Sequence, residues 1–414
     1  MGMLRSFVYV IFVLSLAIGA SATVIHVPDE YATIQSGIDA AAEGDTVLVA
    51  DGTYTGLGNY NIDFGGKAVV VMSKNGPRAT IIDCGGDQRD AQRGFYFHSG
   101  EGPNSVVQGF TIRNGNAYGP WPESCGGGVF CDGSSPTFIG NILIDNVAGG
   151  AGGGICLHNS TATIVGNAIV GNSTPYDGGG VFCEGSSPVM DRNTIAGNTA
   201  DKGGGIFCNV SFSVIVINSI LWGDEANAGP EVYLTGGSTL DITYSDIEGG
   251  RPGEGNIEED PMFVLAEKRD FRLFWESPCI DAGHPDSLDP DGTRCDMGAH
   301  FFNQDDYLTI YLTADTTVVT PGGQLGVTYT LINRWTQAEP FWLLTEALLP
   351  PGGVLELVSP TQYTLQAQQT WQQHIYHNVP SNAWPGLYGY RSKIGVPPAT
   401  RYDKDQFWVT VVGP

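Results

Sequence analysis

The chain has 414 residues, and 44 Asp plus Glu against 19 Lys plus Arg leave a formal charge of -25, which excludes direct binding to nucleic acid or to an anionic membrane. With 42% apolar and only 15% charged residues it can build real cores, and its length predicts two domains. The 58 glycines follow no collagen triplet, so a β-rich, turn-rich architecture is expected.

Arg5, the apolar run Phe7 to Ile18 and the small residues Ala20-Ser21-Ala22 form the pattern of a secretory signal peptide over residues 1–22. The apolar run is too short to span a bilayer, which needs roughly 20 residues. A secreted or cell-surface protein beginning near Thr23 is the expectation. Export permits disulfides. Of the 8 cysteines, Cys131, Cys183 and Cys208 recur at equivalent places in an internal repeat and read as small core residues. Cys279 and Cys295 lie outside that repeat and are the expected bridge.

Along the chain, Thr33 is placed to cap a helix carrying Ile34, Ile38 and Ala41, and Thr46 to Ala50 reads as a strand. Further short runs at Ala68–Met72, Thr80–Ile82, Phe95–Phe97 and Val106–Ile112 predict about three irregular coils. Then glycine triplets begin at Gly126, Gly152, Gly178 and Gly203, in steps of 26, 26 and 25. Each opens a unit such as GGGVFCDGSSPTFIGNILIDN, with three short strands per unit, too glycine-broken for helix pairs. Coils of this length stack at about 4.8 Å with parallel strands. Asn141, Asn167, Asn193 and Asn218, with Asn146, Asn172 and Asn198, are then expected as side-chain ladders at the turns.

These units, with the entry segment VIHVPDEYATIQSGIDAAAEGDTVLVADGTYTG, resemble the right-handed parallel β-helix proteins of the pectin-lyase-like fold, in the subgroup of secreted bacterial β-helix repeat proteins. The resemblance covers residues 24–302. It implies that the helix caps the first coil and that DFRLFWESPCIDAGHPDSLDPDGTRCDMGAH is the tail that follows the last one. The expected domain is 23–302. From 305 to 414 the chain alternates apolar and polar residues in about seven strands, predicting an antiparallel, immunoglobulin-like sandwich. That pattern is similar to adhesion-type domains at the ends of secreted bacterial proteins. Its five tryptophans, Trp335, Trp342, Trp371, Trp384 and Trp408, read as core.

Enzymes of the pectin-lyase-like fold use calcium-binding carboxylates with an arginine, or several aspartates with Gly-His-Gly and Arg-Ile-Lys motifs. Neither set stands in this sequence: His158 lies in LHNS and Arg192 in DRNT. Strand alternation points Val129, Ile155, Val181 and Ile206 inward, together with Cys131, Leu157, Cys183 and Cys208. Phe130, Phe182 and Phe207 then point outward, next to Asp132, His158 and Glu184, as a strip suited to a sugar chain. The competing reading stacks these rings under a covering loop. In DPDGTRCD, Asp289, Asp291 and Asp296 surround Gly292 in partial likeness to a calcium loop that lacks the usual bidentate glutamate, which leaves two readings, a structural calcium site and a solvated acidic turn. The expected function is non-catalytic binding of a polysaccharide or other surface partner, with a polysaccharide lyase or glycoside hydrolase as the alternative.

Overall fold

The computed structural model describes residues 22–86, 91–304, 307–350, 352–396 and 400–413. The expected signal segment lies outside them but for its last residue. Thr33 caps the helix Ile34–Ala40, accepting from Ser36 N while Ser36 reaches back to Thr33 N. Ile34 and Ile38 are buried against the first strands, as the amphipathic spacing requires. No helix among the described residues is long and apolar enough to cross a membrane.

Three parallel sheets follow, each collecting one strand per coil. The first runs from Val24–Val27 to Leu240–Thr243 with nine strands, the second from Gly52–Tyr54 to Asp246–Ile247 with eight, and the third from Phe95–Phe97 to Val232–Thr235 with six. In the regular coils Val129 pairs with Ile155, Ile155 with Val181 and Val181 with Ile206. One continuous core of Val, Ile, Leu, Phe and Cys fills the tube, with Cys131, Cys183 and Cys208 fully buried in it. The glycine triplets are needed for the stacking itself. Gly126, Gly152, Gly178 and Gly203 adopt left-handed φ between 61° and 73°. A Cβ on Gly153 would stand 2.5 Å from Gly179 O in the next coil, so no side chain fits there.

The ladders satisfy the buried turn amides. Asn141 N and Nδ2 both donate to Asn167 Oδ1 at 2.9 and 3.0 Å, and Asn167 N donates to Asn193 Oδ1 at 2.9 Å. The expected fourth member is not Asn218. Asn193 N donates to Ser219 Oγ, and Ser219 N to Ser245 Oγ. The fourth coil is one residue short at its glycine corner, where Val181 meets Ile206, and regains it before Val189 meets Ile215. The column therefore lands on Ser219, while Asn218 turns out to Asp191 and to the tail's His284 N. The second ladder, Asn146–Asn172–Asn198, ends on Asp224, whose Oδ1 accepts from Asn198 N and Nδ2. Glu231 Oε1 then accepts Asp224 N. Asp224 Oδ2 and Glu231 Oε2 are buried with no hydrogen-bond partner among the described residues, and burial raises both carboxyls toward the protonated form.

The tail does not close the end of the tube. It lies along the outside of the second sheet, where Phe271 packs on Ala168, Val170 and Ala196, and Leu273, Cys279 and Met297 pack on Ile220. Residues 254–257 cover the last coil instead, through Tyr244 N to Glu254 O and Ile257 N to Ser245 O. The expected Cys279–Cys295 bridge is absent and all eight cysteines are free thiols. The chain aims the two sulfurs apart: Cys279 Sγ donates to Asp246 Oδ2 on the last coil, and Cys295 Sγ faces His284 O.

The C-terminal part, between Leu308 and Val411, is a sandwich of a three-stranded antiparallel sheet and a five-stranded sheet. The larger sheet is antiparallel except for its edge strand Val318–Val319, which runs parallel to the last strand. Its core is built by Tyr329, Phe341, Tyr390 and Phe407 with aliphatic residues, not by the tryptophans. Trp371 packs only partly against it, and Trp335 and Trp384 are exposed. Tyrosines serve here because their hydroxyls pair: Tyr329 bonds Tyr390 and Thr345. Arg272 joins solenoid and sandwich, bonding Asp270 of the tail at 2.6 Å and Asp405 of the sandwich at 2.7 Å, while Arg78 of an early coil bonds Asp405 at 2.8 Å. Burial alone would raise the Asp270 carboxyl; Arg272 beside it overrides that and holds it well below the usual range.

Replacing Asn167 by Ala strands the buried Asn141 amide and removes the side-chain donor to the Phe138 carbonyl, while Val165 O keeps Gly140 N. At about 1–3 kcal/mol per lost buried partner, Asn167→Ala should lower unfolding free energy by on the order of 3 kcal/mol. The exposed Asn227→Ala should change it by less than about 0.5 kcal/mol. Chemical denaturation of both variants checks this, and equal losses would refute the ladder's role.

Candidate functional site

The third sheet presents the strip singled out in the sequence. Its strands Val129–Asp132, Ile155–His158, Val181–Glu184 and Ile206–Asn209 stand in register, so Phe130, Cys156, Phe182 and Phe207 form one column and Asp132, His158, Glu184 and Asn209 the next. The alternation is as expected: Val129 and Cys131 enter the tube core, and Phe130 leaves it. The column is nevertheless not open to solvent. Phe130 is 0% exposed, Phe207 5% and Phe182 9%: Phe130 stacks on Tyr96, Phe182 and Phe207 stack on each other and on Tyr233, and Cys125 of the 118–126 segment packs into the same cluster. Phe182 and Phe207 lie parallel with centroids 5.3 Å apart, as do Tyr96 and Phe130. The faces that would meet a sugar are already used.

The polar column forms two pairs, not one cluster. His158 Nδ1 meets Asp132 Oδ1 at 2.7 Å, and Asn159 Nδ2 lies 3.1 Å from His158 Nε2. Glu184 Oε1 accepts instead from Asn209 Nδ2 at 3.0 Å, so the two carboxylates do not converge. Sequence reasoning missed the ring that completes this rim. Trp121, 56% exposed, stands edge-on to His158 with centroids 5.2 Å apart. Tyr118 and Tyr176 are exposed nearby: Tyr118 lies against Gly149, and Thr174 Oγ1 ties the Tyr176 turn to Gly150 O, whose N–H meets Ser124 O. The signal was a length difference. Asn116 to Gly126 is a step of ten residues, against five from its partner Val147 to Gly152, and the longer step contains YGPWPESC.

Residues 25–247 match the family model described as "Right handed beta helix region". The chain belongs to that family. No curated protein matches it. Among solved structures, it is similar to the Pseudomonas fluorescens alkylpurine DNA glycosylase AlkC bound to DNA containing an abasic site analog, at 13% identity over 25% of this chain and 30% of that one, with a TM-score of 0.21. It is also similar to Bacillus subtilis Spo0M, a sporulation control protein, at 9% identity over 25% and 49% with a TM-score of 0.20. A third likeness is to Listeria innocua β-glucosidase in complex with isofagomine, at 18% over 31% and 19% with a TM-score of 0.20. The chain spans less than half of each of those proteins, and likenesses this faint carry no functional argument.

On this β-helix the expected calcium carboxylates serve as staples of the tail. Asp289 Oδ2 accepts from Asp296 N, Asp291 from Thr293 and from Gln304 N, and Asp296 from Asp281 N and Phe302 N. Among the described residues no three His, Cys, Asp or Glu side chains come together as a group that could hold a metal ion. Backbone amides already meet the oxygens that such an ion would use. Burial raises the Asp296 carboxyl to about 7 and the Asp246 carboxyl to about 6, and it pushes Asp224 and Glu231 up as well.

These raised carboxyls set a pH dependence. The native state keeps protons there that an unfolded chain, titrating near pH 4, has released, so stability falls as pH rises from about 4 through 7. The depressed Asp270 and Asp405 act oppositely, and their contribution is lost only as pH falls below about 4. The melting temperature should therefore be higher at pH 5 than at pH 8. Asp224→Asn, whose amide can donate to Glu231 at any pH, should lose part of that difference in thermal melts; a higher melt at pH 8 would contradict the assignment.

Proposed function

We propose that the protein is exported or displayed at the cell surface and holds a polysaccharide on the third-sheet flank without cleaving it. The observation that supports this most is the exposed Trp121 ring beside the His158–Asp132 pair: an open aromatic face next to fixed donors and acceptors is the chemistry that takes a sugar ring. Tyr118 and Tyr176 extend the platform along the coil corners. Phe130, Phe182 and Phe207 act beneath it as the floor on which the loop rests. With a formal charge of -25 the protein favours a neutral glycan over a polyanion. The sandwich, in this reading, is an immunoglobulin-like adhesion or spacer module joined through Arg272.

The His158–Asp132 contact also favours a second reading, cleavage by a polysaccharide lyase or glycoside hydrolase, because a carboxylate that orients an imidazole equips it as a general base. Against it, Glu184 is turned to Asn209 and does not join the pair.

A glycan array followed by calorimetry on the best ligand separates the readings. Trp121→Ala should weaken binding about 5- to 10-fold, the scale of one lost aromatic contact, with an unchanged circular dichroism spectrum. Undiminished affinity in that variant would reject the platform. Release of unsaturated or reducing-end products that stops in His158→Ala and Asp132→Asn would instead establish the enzyme.

A further inference from the structure

The outward column of the third sheet reads Tyr96, Phe130, Cys156, Phe182, Phe207 and Tyr233 in successive coils. Five rungs carry rings and one carries a thiol. Ring stacking runs from Tyr96 to Phe130, and from Phe182 through Phe207 to Tyr233, and it breaks at Cys156. A second thiol fills that gap: Cys125, from the covering loop, is buried in the same cluster and interacts directly with Cys156. The loop is pinned on both sides of it, by Cys125 N to Pro122 O and Gly126 N to Ala151 O. Beside the pair lies Arg93, buried, over the Tyr96 and Phe130 rings at 5.0 and 5.5 Å, with its Nη2 on Glu123 O and its Nε without a partner among the described residues.

We propose that Cys125 and Cys156 are a redox pair that closes to a disulfide and staples the 118–126 loop onto the solenoid. The pairing does not depend on the glycan reading, because it follows from the gap in the column and the thiol that enters it. The chemistry is matched to the roles. The Cys156 thiol and the nearby Arg93 draw the Cys125 thiol down to about 7, against the effect of burial, while burial pushes Cys156 well up. Cys84, Cys131, Cys279 and Cys295 are all pushed up by burial and are poor nucleophiles. The oxidant is a disulfide compound, either a thiol–disulfide oxidoreductase or oxidised glutathione. The Cys125 thiolate attacks one sulfur of it, the oxidant's S–S bond breaks, and the other sulfur leaves as a thiolate. Cys156 then gives up its proton and attacks Cys125 Sγ, breaking the mixed disulfide and releasing the second oxidant thiol. Two protein thiols are oxidised and one external disulfide is reduced to two thiols. Both sulfurs are buried once the loop is down, so the exchange occurs during folding or on loop opening.

The test is peptide mapping without reduction on the full chain, refolded in an oxidised–reduced glutathione buffer and quenched with a thiol alkylator. The expected result is a linked Cys125–Cys156 peptide with the remaining six cysteines alkylated after denaturation. Oxidised protein should melt about 5 °C above the reduced form, and Cys125→Ser should abolish that difference while Cys279→Ser leaves it. Because mapping uses the unmodified chain, poor folding of a variant does not remove the test. Alkylation of both Cys125 and Cys156 in the refolded protein, or a link at Cys183–Cys208 or Cys279–Cys295 in their place, would overturn the proposal.

Discussion

Hydrogen bonding between coils at a fixed rise governs this molecule. Each strand pairs with its counterpart about one repeat away, so each turn lies over an equivalent turn, and its buried amides have only the neighbouring coil to bond. An asparagine answers that demand because one side chain both accepts from the coil on one side and donates to the coil on the other, as Asn167 does with Asn141 N and Asn193 Oδ1. The glycine corners express the same constraint sterically: where carbonyls of adjacent coils approach a position within 2.5–2.7 Å of any Cβ, only hydrogen fits. A ladder must also stop. Where the second one ends, the chain substitutes a carboxyl for an amide: Asp224 takes the Asn198 amide, and Glu231 Oε1 accepts from Asp224 N.

What the sequence disclosed follows from that constraint. A period in space is a period in the chain, so coil length, strand positions, the inward cysteines and the Asn141–Asn167–Asn193 column could be counted directly. Asn218 was misplaced because an asparagine one position away from the true register looks the same in one dimension as one in register; only the pairing of Val189 with Ile215 shows the regained residue. The direction of Phe130 was legible from alternation, and its burial matches the reading that stacked these rings under a covering loop; the identity of the covering segment was not legible. Burial depends on residues 118–126, which interrupt the repeat and have no counterpart to be compared with. Carboxylates of the tail and the two cysteines there failed for a related reason. In loops without a period, spacing does not say which way a side chain points, and Asp289, Asp291 and Asp296 turned to amides while Cys279 and Cys295 turned to different elements.

Charge is distributed with similar economy. In a chain so acidic, the few arginines stand where carboxylates must be buried. Arg272 and Arg78 neutralise Asp270 and Asp405 at the joint between solenoid and sandwich, and both guanidinium groups also bond Leu312 O, so the joint is fixed by geometry as well as by charge. Removing one partner would leave a buried charge uncompensated, which makes the joint stiff rather than merely attractive.

A flat parallel sheet of small repeating units has little to offer a ligand, since its outward rows are uniform and its best apolar surface stacks upon itself. The insertion before Gly126 changes that. It uses the phenylalanine column as a floor, sinks a thiol into the single rung that lacks a ring, and raises Trp121 to the surface beside the His158–Asp132 pair. The repeat supplies a rigid foundation and the irregular segment supplies the chemistry, so the place where periodicity fails is the place where a specific surface can exist.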